Sequence, residues 1–367
     1  MKFEKSTAAK AALNLTKEII TACGVRFAGT ESCNRAGEML KQELDRSCDH
    51  THSEEFEFHP AALFSYIRVV TASYVLAAGL LFFGWWAVYT SLLVLLFGAI
   101  YVHLQFYVYR GTFDHFFPKA SAHNVYGVIE PVENADRQVI ISGHHDSACV
   151  CRYLLRRQKF FPFRIFALVA VYYAALLAVL FWSVYRLVSG TDPLISMWIP
   201  FAMAAGSVVV IPLYFMYIDR KGSPGAGDNL IASSIALQLA RLFGGEKRER
   251  VLQRTRLILL STDAEEAGLK GAKAFVSRRQ EELLKIPTSV ITLECLYHLD
   301  DLKFIVSDCN GFVKLSDILA ENCNSIAKAR GYPTRLIKFP FVVEPLTQLS
   351  LHEPGSMPVP FWACLLN

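Results

Sequence analysis

The chain has 367 residues, 53% of them hydrophobic and 19% charged, with a net charge of +4 and a mean hydropathy of +0.30. It is too apolar for an ordinary soluble enzyme and too charged for a pure bundle of transport helices. No Lys/Arg stripe interleaves with aromatic residues, so a nucleic-acid partner is not expected. The nine cysteines lack the dense spacing of a secreted disulfide scaffold, and a reducing compartment follows.

The first polar stretch, 1–63, opens on a charged, alanine-rich segment without the apolar core of a signal peptide. The spacing predicts helices over Leu13 to Cys23 and Cys33 to Leu44. Residues 64–110 follow as a first hydrophobic hairpin: between Arg68 and Arg110 there is no Lys, Arg, Asp or Glu, enough for two spans of about 20 residues, with the turn at Gly84 to Ser91. In the polar stretch 111–163, Asn124 to Ile129 and Gln138 to Ser142 read as strands. A second hairpin, 164–218, pairs Ile165 to Tyr185 with Leu194 to Ile218 around a break at Gly190, Asp192 and Pro193.

The expectation is four transmembrane spans in a lipid bilayer, with Trp85, Trp86, Trp182 and Trp198 as an interfacial belt. Hairpins return the chain to the side it left. That side carries Arg68, Arg110, Arg152, Arg156, Arg157 and further cations, against Arg186 alone on the other, so the polar domain is expected on the cytoplasmic face. In the last polar stretch, 219–341, strands are predicted at Thr255 to Ser261, Ser289 to Glu294 and Lys303 to Val306. Helices are predicted at Asn229 to Phe243, Gly268 to Gln280 and Gly311 to Arg330. The alternation implies an α/β fold, a mixed sheet flanked by helices.

Four segments carry chemistry. Val139 to Ser147 is a buried strand ending in His144-His145-Asp146; an Asp two residues after a His can orient the imidazole for a metal, although a polar strand cap is the plainer reading. Gly225-Ala226-Gly227-Asp228-Asn229 precedes a helix. It lacks a preceding strand and a Gly-Lys-Ser/Thr, which disfavours a nucleotide loop, and leaves Asp228 as a helix cap or a carboxylate bridging two cations. Leu257 to Ala272 ends a strand in Glu265-Glu266. Two adjacent glutamates there need a partner, and a metal supplies one: one carboxylate ligates while its neighbour serves as general base. Val290 to Glu294 is another strand ending in a carboxylate. The pair Cys149-x-Cys151 has no second Cys pair to complete a thiolate site. His145 should face away from His144 by strand alternation. His298, Asp300 and Asp301 fall in a loop after Glu294.

In this order the four segments resemble the M28 family of co-catalytic zinc peptidases, and Gly24 to Glu31 is similar to that family's opening segment. The resemblance implies a peptidase domain assembled from 1–63, 111–163 and 219–341, two zinc ions and a peptide substrate. It assigns His144 and Glu294 to one metal, Glu266 to the other, Asp228 to both, Asp146 to orienting His144, and Glu265 to general-base catalysis on a metal-activated water. Glu294 stands where many members have Asp. The implied activity is an exopeptidase, an aminopeptidase first. The rivals are a non-catalytic membrane scaffold or receptor, a glutaminyl-cyclase-like enzyme, and a transporter with a regulatory domain, the last disfavoured because His103 is nearly the sole ionisable group within the spans.

The family's final His ligand has no counterpart in the tail 342–367. Codons for Val342 to Pro360 read in a shifted frame can spell a continuation resembling the family's, so a frameshift near Phe341 is expected to have replaced the domain's end. The second zinc site is then incomplete, and His352 an accidental histidine.

Overall fold

The structure is a computed structural model and describes residues 5–151, 160–215, 221–244, 251–296, 302–307 and 314–338. The tail 342–367 with His352, and His298, Asp300 and Asp301, lie outside the described residues. In chain order the elements are α1 (Lys5–Cys23), α2 (Glu31–Asp45), β1 (His50–Phe58), α3 (Ser65–Leu80), α4 (Ala87–Val102), β2 (Ala120–Ile129), β3 (Arg137–His144), α5 (Phe161–Ser189), α6 (Ile199–Tyr214), α7 (Ile231–Phe243), β4 (Thr255–Thr262), α8 (Lys270–Lys285), β5 (Thr288–Thr292), β6 (Lys303–Ile305), α9 (Asp317–Ala329) and β7 (Arg335–Ile337).

Five strands form one mixed sheet in the order β1-β2-β4-β3-β5. The three strands β4, β3 and β5 are parallel, and β2 and β1 continue the sheet antiparallel. Side chains alternate across each strand. Along β4, Leu257 and Leu259 therefore pack with Leu15, Leu40 and Leu237 of α1, α2 and α7, while Ile258 and Leu260 pack with Phe275 and Leu283 of α8. A continuous apolar run is the expected signature of a strand covered on both faces.

Three features depart from the sequence reading. Strand β1 was not expected, because His50–Phe58 alternates charged residues with Phe56 and Phe58 and sits at the sheet edge, where one face meets water. Glu294 lies past the end of β5, two residues beyond Thr292. The small parallel pair β6–β7 forms a separate sheet joined through α9, and β7 was also not expected.

The two hydrophobic stretches form four helices that share one core, including Tyr74, Leu95, Tyr172, Val179, Trp182 and Met203. Gly98 and Gly206 make the close approaches: a Cβ on Gly98 would meet Tyr172 Oη at 2.2 Å, and one on Gly206 would meet Tyr74 Oη at 2.2 Å. The outer surface is also apolar, with Leu93, Phe97, Leu177, Phe181, Phe201 and Val208 exposed. Of the four expected spans, the described residues show two of sufficient length, and the predicted end of the fourth, 216–218, lies outside the described residues. Two helical stretches, Ala87–Tyr107 and Phe163–Ser189, have the length and composition to cross a membrane among the described residues. Helices α3 and α6 have 16 residues each, about 24 Å at 1.5 Å per residue against a hydrocarbon core of about 30 Å. Residues 81–86 are spent on the turn around Gly84, and the 3-10 turn Leu194–Met197 takes the start of the second partner.

The second hairpin leaves and re-enters the α/β domain through a narrow neck. Val150 N donates to Lys221 O at 2.7 Å, Ser223 N donates to Ala148 O at 2.9 Å, and Cys149 pairs with Gly222 across an antiparallel bridge. Ends tied in this way make the inserted length immaterial to the fold on either side.

Candidate metal centre

The carboxyl ends of parallel strands are where α/β folds collect ligand sites, because successive loops open from one edge. Here β3 ends at His144, paired with Thr262 at the end of β4, and β5 stops at Thr292 beside Ser142. The segments His144–Asp146, Asp263–Glu266 and Leu293–Glu294 therefore emerge together, and Asp228 is brought to the same edge from the turn before α7. From His144 Nε2, Asp228 Oδ1 lies at 3.3 Å, Glu265 Oε2 at 3.5 Å and Glu294 Oε2 at 3.6 Å. Ligand atoms of His144, Glu265 and Glu266 lie within 4.8 Å of one another, as do those of His144, Asp228 and Glu294.

Asp146 fixes this arrangement. One oxygen, Oδ1, lies 3.1 Å from His144 Nδ1 and accepts from the backbone N–H of Glu265 at 3.2 Å; Oδ2 accepts from the N–H of Glu266 at 3.0 Å. One carboxylate thus holds the imidazole with Nε2 turned to the cluster and clamps the Glu265-Glu266 backbone beside it. A hydrogen bond at the far ring nitrogen is the usual device for setting the tautomer a metal needs.

Asp228 is positioned by a buried guanidinium. Arg26, fully buried, donates to His145 O at 2.8 Å, Pro224 O at 2.9 Å and Gly225 O at 3.1 Å, while its backbone exchanges hydrogen bonds with Ser147. Gly225 adopts φ +58°, and a Cβ there would lie 2.7 Å from Ser147 Cβ and 2.9 Å from the Arg26 guanidinium. Only glycine turns the chain here without displacing that arginine. Beyond a cis Asp228–Asn229 peptide, Asn229 Nδ2 donates to Leu293 O at 2.7 Å, tying the turn to the segment that bears Glu294. Gly143 lets α7 approach β3, and Ser233 Oγ donates to His144 O at 3.1 Å.

The electrostatics favour a bound cation. Burial raises the Glu265 carboxyl well above the usual range; His144 opposes this, and Glu266 and Glu294 add to it. Burial also raises Glu266, with Asp228 adding. Glu294 is pushed up to about 8 by burial, with His144 opposing and Asp228 adding. Burial disfavours charge on His144, yet the charges of Glu265 and Glu294 outweigh it and raise its pKa well above the ordinary value. Four carboxylates around one imidazole cannot all ionise without more positive charge than that ring supplies. Glu265 Oε1 is buried without a hydrogen-bond partner. A divalent metal answers both facts, since it stabilises ionised carboxylates and gives orphaned oxygens a partner. The mixed imidazole and carboxylate donors suit zinc, and also manganese or cobalt.

All six residues singled out in the sequence, His144, Asp146, Asp228, Glu265, Glu266 and Glu294, converge here. His145 turns away as expected: its Nδ1 meets Ser261 Oγ at 2.9 Å, and burial depresses its pKa to about 3. Cys33 and Asp263 lie within metal-ligand reach of it, but Cys33 Sγ already bonds Asp263 Oδ1 at 3.3 Å. Cys151 is buried with Ile67, Leu168 and Leu213, and among the described residues neither Cys149 nor Cys151 joins a metal-ligand group. The sequence reading placed Arg26 in the opening segment Gly24 to Glu31 and Asn229 in the Gly-Asp-Asn turn, but gave neither a supporting role.

Residues 212–334 match the model described as peptidase family M28. No curated protein matches the chain. Among solved structures, a Zn-dependent exopeptidase from Parabacteroides distasonis is 13% identical with a TM-score of 0.48, over 92% of this chain and 79% of that one. The glutaminyl cyclase of Tannerella forsythia is 13% identical with a TM-score of 0.48, over 94% and 82%. BSAP, a zinc aminopeptidase from Bacillus subtilis, is 12% identical with a TM-score of 0.48, over 90% and 80%.

Because Asp146 holds both the imidazole and the Glu265-Glu266 backbone, Asp146→Asn is expected to weaken zinc binding by about 10–100-fold. Competition with a chromophoric chelator measures it; an unchanged affinity would show that Asp146 does not orient the site.

Proposed function

We propose, from the match of residues 212–334 to the model of peptidase family M28 and the geometry of the site, that the chain is a membrane-anchored zinc-dependent exopeptidase, an aminopeptidase first. The observation that carries this reading is the convergence of His144, Asp228, Glu266 and Glu294 beside a glutamate, Glu265, that has an unpaired buried oxygen.

His144, Asp228 and Glu294 would hold one ion, and the resemblance to the M28 family would assign Asp228 and Glu266 to a second. Metal bound there supplies Lewis-acid chemistry, polarising the scissile carbonyl and acidifying the attacking water. Glu265 does the proton work. With Oε2 held 3.5 Å from His144 Nε2 and Oε1 uncommitted, it takes the proton of the attacking water and delivers it to the departing amine nitrogen. Asp146 keeps His144 from turning during the reaction. An acidic pocket of this kind also favours a free α-amine over a blocked one, which supports cleavage from the N-terminus.

The anchoring half of the proposal rests on the four-helix bundle, whose outer surface carries many large apolar side chains. At its far end Trp182 Nε1 donates to Asp192 Oδ1 at 2.8 Å, and the Arg186 guanidinium stacks over Trp85 at 5.3 Å, an arrangement suited to a headgroup region. The excess of cations flanking the spans on the hydrolase side supports a cytoplasmic domain.

Glu265→Gln should lower kcat on aminoacyl reporters by about 10²–10⁴-fold while zinc content stays at the wild-type level; undiminished hydrolysis would end the general-base assignment. A product assay on N-terminal glutamine substrates separates hydrolysis from cyclisation. Alkaline carbonate extraction checks the anchor: the protein should stay with the membrane pellet, and release into the supernatant would refute insertion.

A further inference from the structure

A cavity of about 380 Å³ opens beside the metal centre, within the size range of small-ligand sites, about 300–1,000 Å³. Its walls come from two parts of the chain. The hydrolase part gives Phe27, Ser147 and Glu266; the hydrophobic hairpins give Phe64, Ile67 and Arg68 around the start of α3, and Tyr214 at the end of α6. Glu266 is one of the carboxylates of the candidate metal centre, so the cavity is continuous with the chemistry. Ile67 and Glu266 are buried, while Arg68 is exposed and lines the cavity.

We infer that this cavity is the peptide-binding pocket of the site and that the apolar bundle forms one of its walls, fitting it to short peptides with large apolar side chains whose carboxylate meets Arg68. The inference rests on the exopeptidase reading and deepens it. Aromatic and aliphatic faces on both sides (Phe27, Phe64, Ile67, Tyr214) take an apolar side chain. The pocket's two charged groups are an acid on the metal side and a guanidinium from the bundle. A short zwitterionic peptide has the matching pattern, with its amine drawn to the acidic centre and its carboxylate to the guanidinium, which binds carboxylates by paired, charge-assisted hydrogen bonds. The bundle is then more than an anchor: shifting α3 against the hydrolase domain reshapes the pocket.

Photolabelling of the purified full chain tests this without relying on turnover. The probe is a dipeptide of diazirine-bearing leucine, as the free acid and as the amide. The free acid should label residues 61–68 or the vicinity of Tyr214. Ala61→Trp, at an exposed pocket position, should fill the cavity and abolish that labelling. Arg68→Gln should reduce labelling by the free acid about tenfold, the loss of one charge-assisted pairing, and leave the amide unchanged. Labelling elsewhere, labelling indifferent to Ala61→Trp, equal effects of Arg68→Gln on acid and amide, or displacement by laurate but not by Leu-Leu would each overturn the inference. Aminoacyl reporters are assayed on the same preparation: expected labelling without any hydrolysis would sink the exopeptidase reading and leave the pocket standing, whereas hydrolysis without the labelling pattern would do the reverse.

Discussion

Carboxylates packed out of water around a single imidazole set the terms for the rest of this molecule. A buried charge costs several kcal/mol unless it is paired, and Asp228, Glu265, Glu266 and Glu294 share one ring, His144, as their nearest protein cation. Such a cluster persists because the surrounding backbone leaves it no alternative. Parallel strands bring three of the segments to one edge, Asp146 clamps two of those segments to each other, and Arg26 with Gly225 fixes the turn that presents Asp228. The candidate metal centre is held in place by elements outside the cluster itself.

The apolar hairpins enter this frame at two places, between β1 and β2 and between β3 and the Asp228 turn. The second insertion separates residues that must meet. The neck formed by Val150 with Lys221 and Ala148 with Ser223 resolves the conflict, because it returns the chain within hydrogen-bonding distance of where it left. The α/β domain can therefore carry the apolar bundle without loosening the geometry between His144 and Asp228. The same closeness brings Phe64, Arg68 and Tyr214 to the wall of the cavity that also holds Glu266 of the candidate metal centre.

What the sequence made legible follows from where its information is local. The strand-end His144-His145-Asp146, the Gly-Asp-Asn turn and the Glu265-Glu266 pair each sit on an apolar run with its own periodicity, so the elements and the six converging residues could be read together. Strand β1 could not, since an edge strand with charged residues at alternate positions has no continuous apolar signature. Span lengths were legible only in part: a charge-free stretch bounds a hairpin but does not say how many residues its turn consumes, and residues 81–86 form the turn after the 16-residue α3. Arg26 shows a third limit. Its partners are backbone carbonyls of His145, Pro224 and Gly225, distant in the chain and invisible to any pattern of side chains.

The central claim is that an imidazole and carboxylates, without thiolate, hold zinc at the carboxyl edge of the sheet. X-ray absorption at the zinc edge on the purified full-length chain measures this directly. The account predicts a shell of nitrogen and oxygen neighbours at about 2.0–2.2 Å with the multiple scattering of one imidazole. A sulfur neighbour at about 2.3 Å, or protein that binds no zinc at all, would contradict it.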